Sequence, residues 1–224
     1  MAVLLGLGFW QLQRLQWKLG LIQRISERVH AAPVAVEAVL HQDAAADIGY
    51  THVTATGHFR HDLERYLYAN GENDWGWDVL TPLELASGET IIVNRGYIPH
   101  QLQDRAARAA GLPEGAASIA GLVRLTPSGR PWSIPAGDVA KGTWYWPEIP
   151  AIAASMYPSG GKPVTAIYVE ADPVAATAPP VGGATNLELP NRHLEYAYTW
   201  FGLAAALAVI YGLFAFPRLA GSRG

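Results

Sequence analysis

The chain contains no cysteine, which excludes disulfides, thiolate nucleophiles and cysteine metal sites and leaves the redox compartment unmarked. Charge is also scarce. Asp, Glu, Lys and Arg make up 16% of the 224 residues and the formal net charge is −3, so there is no basic excess of the kind that binds nucleic acid. Gly160-Gly161-Lys162-Pro163 lacks both the spacing of a phosphate-binding loop and the Ser or Thr that follows its Lys. No Gly-x-Ser-x-Gly nucleophile elbow occurs. His58 and His61, with Asp62 and Glu64 nearby, have the density of a metal site, but one His falls at a strand end and the other in a turn, so a shared coordination shell is not expected. With no nucleophile, metal cluster or convergent acid–base pair visible, a membrane-anchored enzyme on an unrecognised substrate is the weakest reading.

What the chain does have is one long apolar run near its end. The 21 residues from Tyr196 to Phe216 include no Asp, Glu, Lys, Arg or His. At ~1.5 Å per residue a helix of that length crosses a hydrocarbon core of roughly 30 Å. Immediately before it stand Arg192, His193 and Glu195, which places an imidazole where a spanning helix meets the headgroup layer. Position alone fits an interfacial polar residue or a cap. Likewise, Tyr196, Tyr198, Trp200 and Phe201 fit the aromatic belt of any spanning helix. On a helix, however, His193, Tyr196, Ala197 and Trp200 share one face, against which a flat macrocycle could lie.

Three separated stretches carry a family likeness. Asn191-x-His193-Leu194-x-Tyr196-Ala197-x-Thr199-Trp200-Phe201-Gly202 resembles the second transmembrane-helix signature of the Surfeit locus protein 1 (Shy-like) family. Leu7-Gly8-Phe9-Trp10-Gln11-Leu12-Gln13-Arg14-Leu15-x-Trp17-Lys18-x-x-Leu21-Ile22 is similar to its first-helix signature, and Val93-Asn94-Arg95-Gly96-Tyr97-Ile98-Pro99 to a third, intervening motif. In order and in spread the three cover nearly the whole chain. The resemblance implies a membrane protein that assists assembly of haem–copper cytochrome c oxidase, with bacterial members binding haem a and helping to insert it into the catalytic subunit. Its expected partners are that subunit, other haem-insertion factors and the lipid bilayer. No nucleic acid is expected.

At the start, Met1 to Trp10 is wholly apolar, but ten residues are too few to span a bilayer. Either the helix continues through Gln11, Leu12 and Leu15 with its polar side turned inward, or the sequence is truncated. Truncation is the expectation here, because members of the family carry a longer apolar lead. A cleaved signal peptide is not expected, since no basic segment precedes the run and no small-x-small site follows. Trp10, Arg14, Trp17 and Lys18 fall at helical spacing. They form either an interfacial belt with snorkelling cations or partners for haem propionates or an acidic oxidase surface, and spacing does not choose between these.

From Ala31 the pattern changes to short alternating segments. Strands are predicted at 50–59, 63–68, 75–82, 89–94, 117–125, 143–146 and 164–170, the first two joined as a hairpin through a turn near His61-Asp62. Helical stretches are predicted at 33–40 (weakly), 102–110 and 148–156. The expected fold is an α+β membrane protein in which two transmembrane helices bracket a mostly antiparallel sheet or small barrel. Its parts are a first helix with a basic extension (1–30), a β-rich domain (31–172), a Pro/Ala/Gly linker (173–189), a second helix (190–217) and a short tail (218–224).

The domain's side of the membrane is contested by two signals. Arg14, Lys18, Arg24, Arg28 and Arg192 outnumber Arg218 and Arg223, which by charge count puts the domain in the cytoplasm. The family resemblance implies a periplasmic domain on a bacterial inner membrane, or the mitochondrial equivalent, and this reading is preferred. For function, His193 is the candidate axial ligand to haem iron, since neutral imidazole is a standard haem donor. Arg14 and Lys18 are candidates for the propionates, and Trp10, Trp200 and Tyr196 for apolar contact. Asn94, Arg95 and Gly96 are candidates for a structural or partner-contacting role, whereas Trp75, Trp77, Trp144 and Trp146 are expected to be core or membrane-facing. The alternative is a haem-free scaffold that stabilises an oxidase intermediate.

Overall fold

The computed structural model describes residues 1–42, 47–71, 74–161, 163–174, 179–183 and 190–220, the last six by backbone only. Lys162, most of the linker 173–189, Arg223 and the side chains of Phe216 and Arg218 lie outside the described residues. The chain divides into two units, Met1–Ser26 with Leu187–Gly224, and Glu27–Asn186.

The second unit is an eight-stranded sheet with short helices. Its strands are β1 (Val34–Ala35), β2 (His52–Phe59), β3 (Arg65–Asn70), β4 (Trp75–Leu85), β5 (Thr90–Pro99), β6 (Ala116–Leu125), β7 (Thr143–Trp144) and β8 (Ile167–Ala171), ordered β1-β2-β6-β8-β5-β4-β3-β7. Most pairs are antiparallel, with β1–β2, β3–β7 and β5–β8 parallel. The predicted hairpin of the first two long strands does not form. Instead β2 runs along β6 from His52 to His58, while β3 pairs with β4 and β7. At its far end β2 also meets β4, through Gly57–Phe59. A Cβ on Gly57 would collide with the Glu84 carbonyl, so only glycine admits this approach.

Strands β4 and β5 are buried along almost their full length, which is why they read as near-continuous apolar runs and not as clean alternation. On one side Val53, Ala55, Leu83, Leu85, Ile91, Val93, Val123, Ile167 and Val169 form a core with Val36 and Val39. On the other, helix α3 (Ile149–Met156) lays Ile149, Ile152, Ala153 and Met156 against Leu80, Ile92, Trp144 and Tyr168. Pro150 in its first turn costs no hydrogen bond. The weak 33–40 helix shrinks to α2 (Glu37–Leu40), because Val34 and Ala35 are drawn into pairing with β2. The 102–110 stretch is a kinked 3₁₀ segment, Arg105–Gly111, with non-helical backbone at Arg108.

The first unit contains α1 (Ala2–Val29) as far as Ser26, and α4 (His193–Ala220). Among the described residues, one helix is long and apolar enough to cross a membrane, at His193–Phe214 with mean hydropathy 1.6. The expectation that the first helix shares this property is not met by α1. It is continuous over 28 residues, yet Gln11, Gln13, Arg14, Gln16 and Lys18 interrupt its apolar character.

Candidate functional site

The site is built from the first turn of α4 and the N-terminal half of α1, two helices that run antiparallel. Along α1 the shielded positions include Gly8, Gln11, Leu15 and Lys18, spaced three, four and three residues apart, with Leu4, Leu7 and Leu12 partly shielded beside them. Along α4 they include His193, Ala197, Trp200 and Ala204, spaced four, three and four, with Phe201 beside Trp200. This alternation of threes and fours is the seam of a helix pair. Ala197 and Ala204 are 1% and 3% exposed, and Gly8 lets the Phe201 ring sit directly over the α1 backbone. Phe201 also meets Phe9 edge to face, with ring centroids 5.4 Å apart.

His193 stands at the head of this seam. The Asn191 side chain accepts a 3.4 Å hydrogen bond from the His193 backbone N–H and so caps the helix entrance. The His193 ring reaches across to α1, where Nδ1 lies 2.7 Å from Oε1 of the buried Gln11. An amide oxygen can only accept, so Nδ1 carries the proton. In the neutral ring this leaves Nε2 with the lone pair, and the ring is half-buried. Seven residues further along α1, the Lys18 ammonium donates to the Pro190 carbonyl, a second tie between α1 and the entrance to α4. Arg192 is occupied by Glu195, at 2.9 Å on the same helix.

The structure therefore gathers His193, Trp200 and Lys18 near one seam and separates the other expected residues. Tyr196 is 52% exposed, because position i+3 from His193 falls on the flank of the 193–197–200–204 stripe. Trp10 is also 52% exposed, and the Arg14 guanidinium lies 4.2 Å above the Trp17 ring on its own helix. Gln11 went unrecognised at the sequence level, although a Gln three residues after Gly8 on the apolar face was the available signal.

In the second unit, Asn94, Arg95 and Gly96 are built into the sheet. Between Asp78 and Leu80 the β4–β5 register slips by one residue, leaving a bulge on β5. Gly96 takes φ +106°, and a Cβ there would overlap the Val181 carbonyl. The buried Asn94 side chain accepts from the Gly96 N–H at 2.9 Å and donates to Asp78 at 3.0 Å. Burial pushes the Asp78 carboxyl up to about 6, against the Asn94 hydrogen bond and with help from the charge of Glu170. Asp78 lines a cleft of about 770 Å³ with Tyr68, Asp74 and Tyr97.

Arg95 belongs to a buried charge cluster centred on Glu64. Arg108 holds Glu64 at 2.6 Å, Arg95 at 3.4 Å and His61 at 3.2 Å. Burial alone would raise the Glu64 carboxyl, but hydrogen bonds from His61 and Arg108 and the two guanidinium charges hold it below its ordinary range. His61 is thus part of an ion cluster and donates from Nε2 to the Pro113 carbonyl. Trp77 and Trp144 are core residues, while Trp75 stacks on His100 with ring centroids 4.4 Å apart.

The SURF1 family model matches residues 1–205. Surfeit locus protein 1 of Mus musculus is 32% identical over 228 residues, covering 94% of this chain and 71% of that protein. The Takifugu rubripes protein of the same name is 31% identical, covering 94% of this chain and 91% of its own length, and the Homo sapiens protein is 32% identical, covering 92% and 72%. The helix-pair seam, the β5 bulge and the capped His193 all fall within the matched span, and the chain belongs to the Surfeit locus protein 1 family.

Proposed function

We propose that this protein is an assembly factor for haem–copper cytochrome c oxidase that holds haem a and delivers it to the oxidase catalytic subunit. It acts as a carrier and not as an enzyme. The observation that carries this reading is His193, an imidazole at the mouth of an apolar helix, fixed through Nδ1 by Gln11 and with no partner on Nε2 among the described residues. Neutral imidazole nitrogen is a common axial donor to haem iron, and one protein ligand suits a cargo that must be released.

Beside that donor Trp200 offers aromatic surface for a macrocycle at the membrane boundary, and the exposed Tyr196 and Trp10 are proposed to extend it. Lys18 and Arg14 supply cations for the propionates. The apolar stretch Met1–Trp10 is proposed to enter the bilayer beside α4, with Gly8 and Phe201 as the packing contact. The β body then faces the periplasm of a bacterial plasma membrane, or the intermembrane space of a mitochondrion, where it meets the oxidase subunit and other haem-insertion factors.

The test is the visible spectrum of detergent-purified protein from cells making haem a, compared with His193→Ala. A haem a spectrum that is lost or weakened in the variant is the expected result. An unchanged spectrum moves the ligand elsewhere. Colourless protein in both cases replaces the carrier with a haem-free scaffold for an oxidase intermediate.

A further inference from the structure

We propose that Gln11 is a positioning residue that sets the donor strength of His193, and with it how readily bound haem is given up; the inference rests on the haem-carrier reading above. Gln11 is 9% exposed, and its amide lies on the seam of α1 among Gly8 and Leu15. A buried amide without a partner is costly, so its retention there is explained by the 2.7 Å contact to His193 across 182 residues of sequence. That contact does two things. It selects the tautomer with hydrogen on Nδ1, which turns Nε2 into the donor, and it fixes the plane of the ring.

The chemical identity of the acceptor matters. A carboxylate on Nδ1–H draws the proton toward itself, raises the basicity of Nε2 and strengthens a metal bond, whereas a neutral amide oxygen orients the ring with much less push. Gln11 therefore gives a directed but moderate ligand, as a carrier needs. Because the amide sits on α1 and the imidazole on α4, ligand orientation depends on the pairing of the two helices. The Lys18–Pro190 tie holds that pairing at the same end. Separation of α1 from the entrance of α4 frees the imidazole to rotate and weakens its hold.

The experiment uses full-length protein in micelles with ¹⁵N-labelled histidine, and haem a titrated into wild type, Gln11→Leu and Gln11→Glu. Haem-free wild type is expected to show the neutral His193 ring with hydrogen on Nδ1. Gln11→Glu retains that tautomer, binds haem a more tightly and lowers its reduction potential. Gln11→Leu loses the tautomer preference, weakens haem a binding by about 10–100-fold and alters the ferric spectrum. The retained tautomer in Gln11→Glu separates a ligand effect from misfolding. An unchanged tautomer and ferric spectrum in Gln11→Leu, with haem a still bound, overturn the role of Gln11 alone. Absence of a haem band in every protein, wild type included, overturns the inference together with the carrier reading.

Discussion

Gly8 of α1 and Phe201 of α4 touch so closely that a Cβ on residue 8 would lie 2.6 Å from the Phe201 ring. Any side chain at residue 8 must displace that ring, so residue 8 controls how Phe201 seats on α1. Gly8→Val is expected to push the ring off that seat, costing about 1–3 kcal/mol by overpacking. Thermal unfolding in detergent measures the loss. Adding Phe201→Ala to Gly8→Val should restore part of it, and failure of that rescue would mean the two residues do not share the contact.

Glu64 depends on its guanidinium partners. Arg108→Met leaves a carboxylate inside the sheet with Arg95 as its remaining guanidinium partner and the His61 ring beside it, and breaking a buried pair from one side costs on the order of 3–5 kcal/mol. Chemical denaturation of the variant tests the value.

The same carboxyl predicts a pH dependence. Its folded value is lowered, so its contribution to stability is complete above the ordinary Glu range and is lost as pH falls through the folded value. The stability gap between wild type and Glu64→Gln should therefore narrow on acidification below about pH 4.5. A gap that stays constant there would remove the ionic account of this cluster.

Asp78 acts in the opposite sense. Held up to about 6 when folded, it binds its proton more firmly in the native state, so stability declines as pH rises from the ordinary Asp range through about 6 and is level above that. Asp78→Asn keeps an oxygen for Asn94 and removes the charge. Relative to wild type it should gain on the order of 2–3 kcal/mol between pH 4 and pH 7, measured by unfolding at both.

The bulge gives a further test. Asn94→Ala leaves the Gly96 N–H and Asp78 without their shared partner, with an expected cost of about 1–3 kcal/mol for each unsatisfied group. Gly96→Ala should be more damaging, since it adds strain at positive φ to an overlap with the Val181 carbonyl. A Gly96→Ala protein with native thermal stability would show that the bulge can repack.

Much of this protein is written locally. Charge-free length alone makes Tyr196–Phe216 a candidate span, and alternation plus Gly and Pro punctuation places seven of the eight strands to within a few residues. His193 stands out because a polar ring precedes an apolar run, and that too is local. Strand partners are another matter. Period-two patterning says which side chains face inward but nothing about which strand lies alongside, so β2 and β3, adjacent in sequence, do not pair with each other: β2 runs along β6 and β3 along β4. The Val34–Ala35 strand is missed because two residues carry no period and acquire their state from the β2 edge.

The site shows the same division. Sequence spacing puts Tyr196 on the face of His193, yet the buried stripe follows Ala197 and Ala204, because small residues let the partner helix approach. Spacing also ranks Arg14 with Lys18, but the structure stacks the first on Trp17 and ties the second to Pro190. Gln11 and His193 lie 182 residues apart and Glu64 and Arg108 lie 44 apart, and no periodicity links such positions. The sequence by itself determined the family, the candidate membrane helix, most of the strands and the imidazole at the helix entrance, since each follows from short-range composition and spacing. Only the tertiary structure decided strand order, the partner of that imidazole and therefore which ring nitrogen is left to bind, because those depend on which distant surfaces pack together.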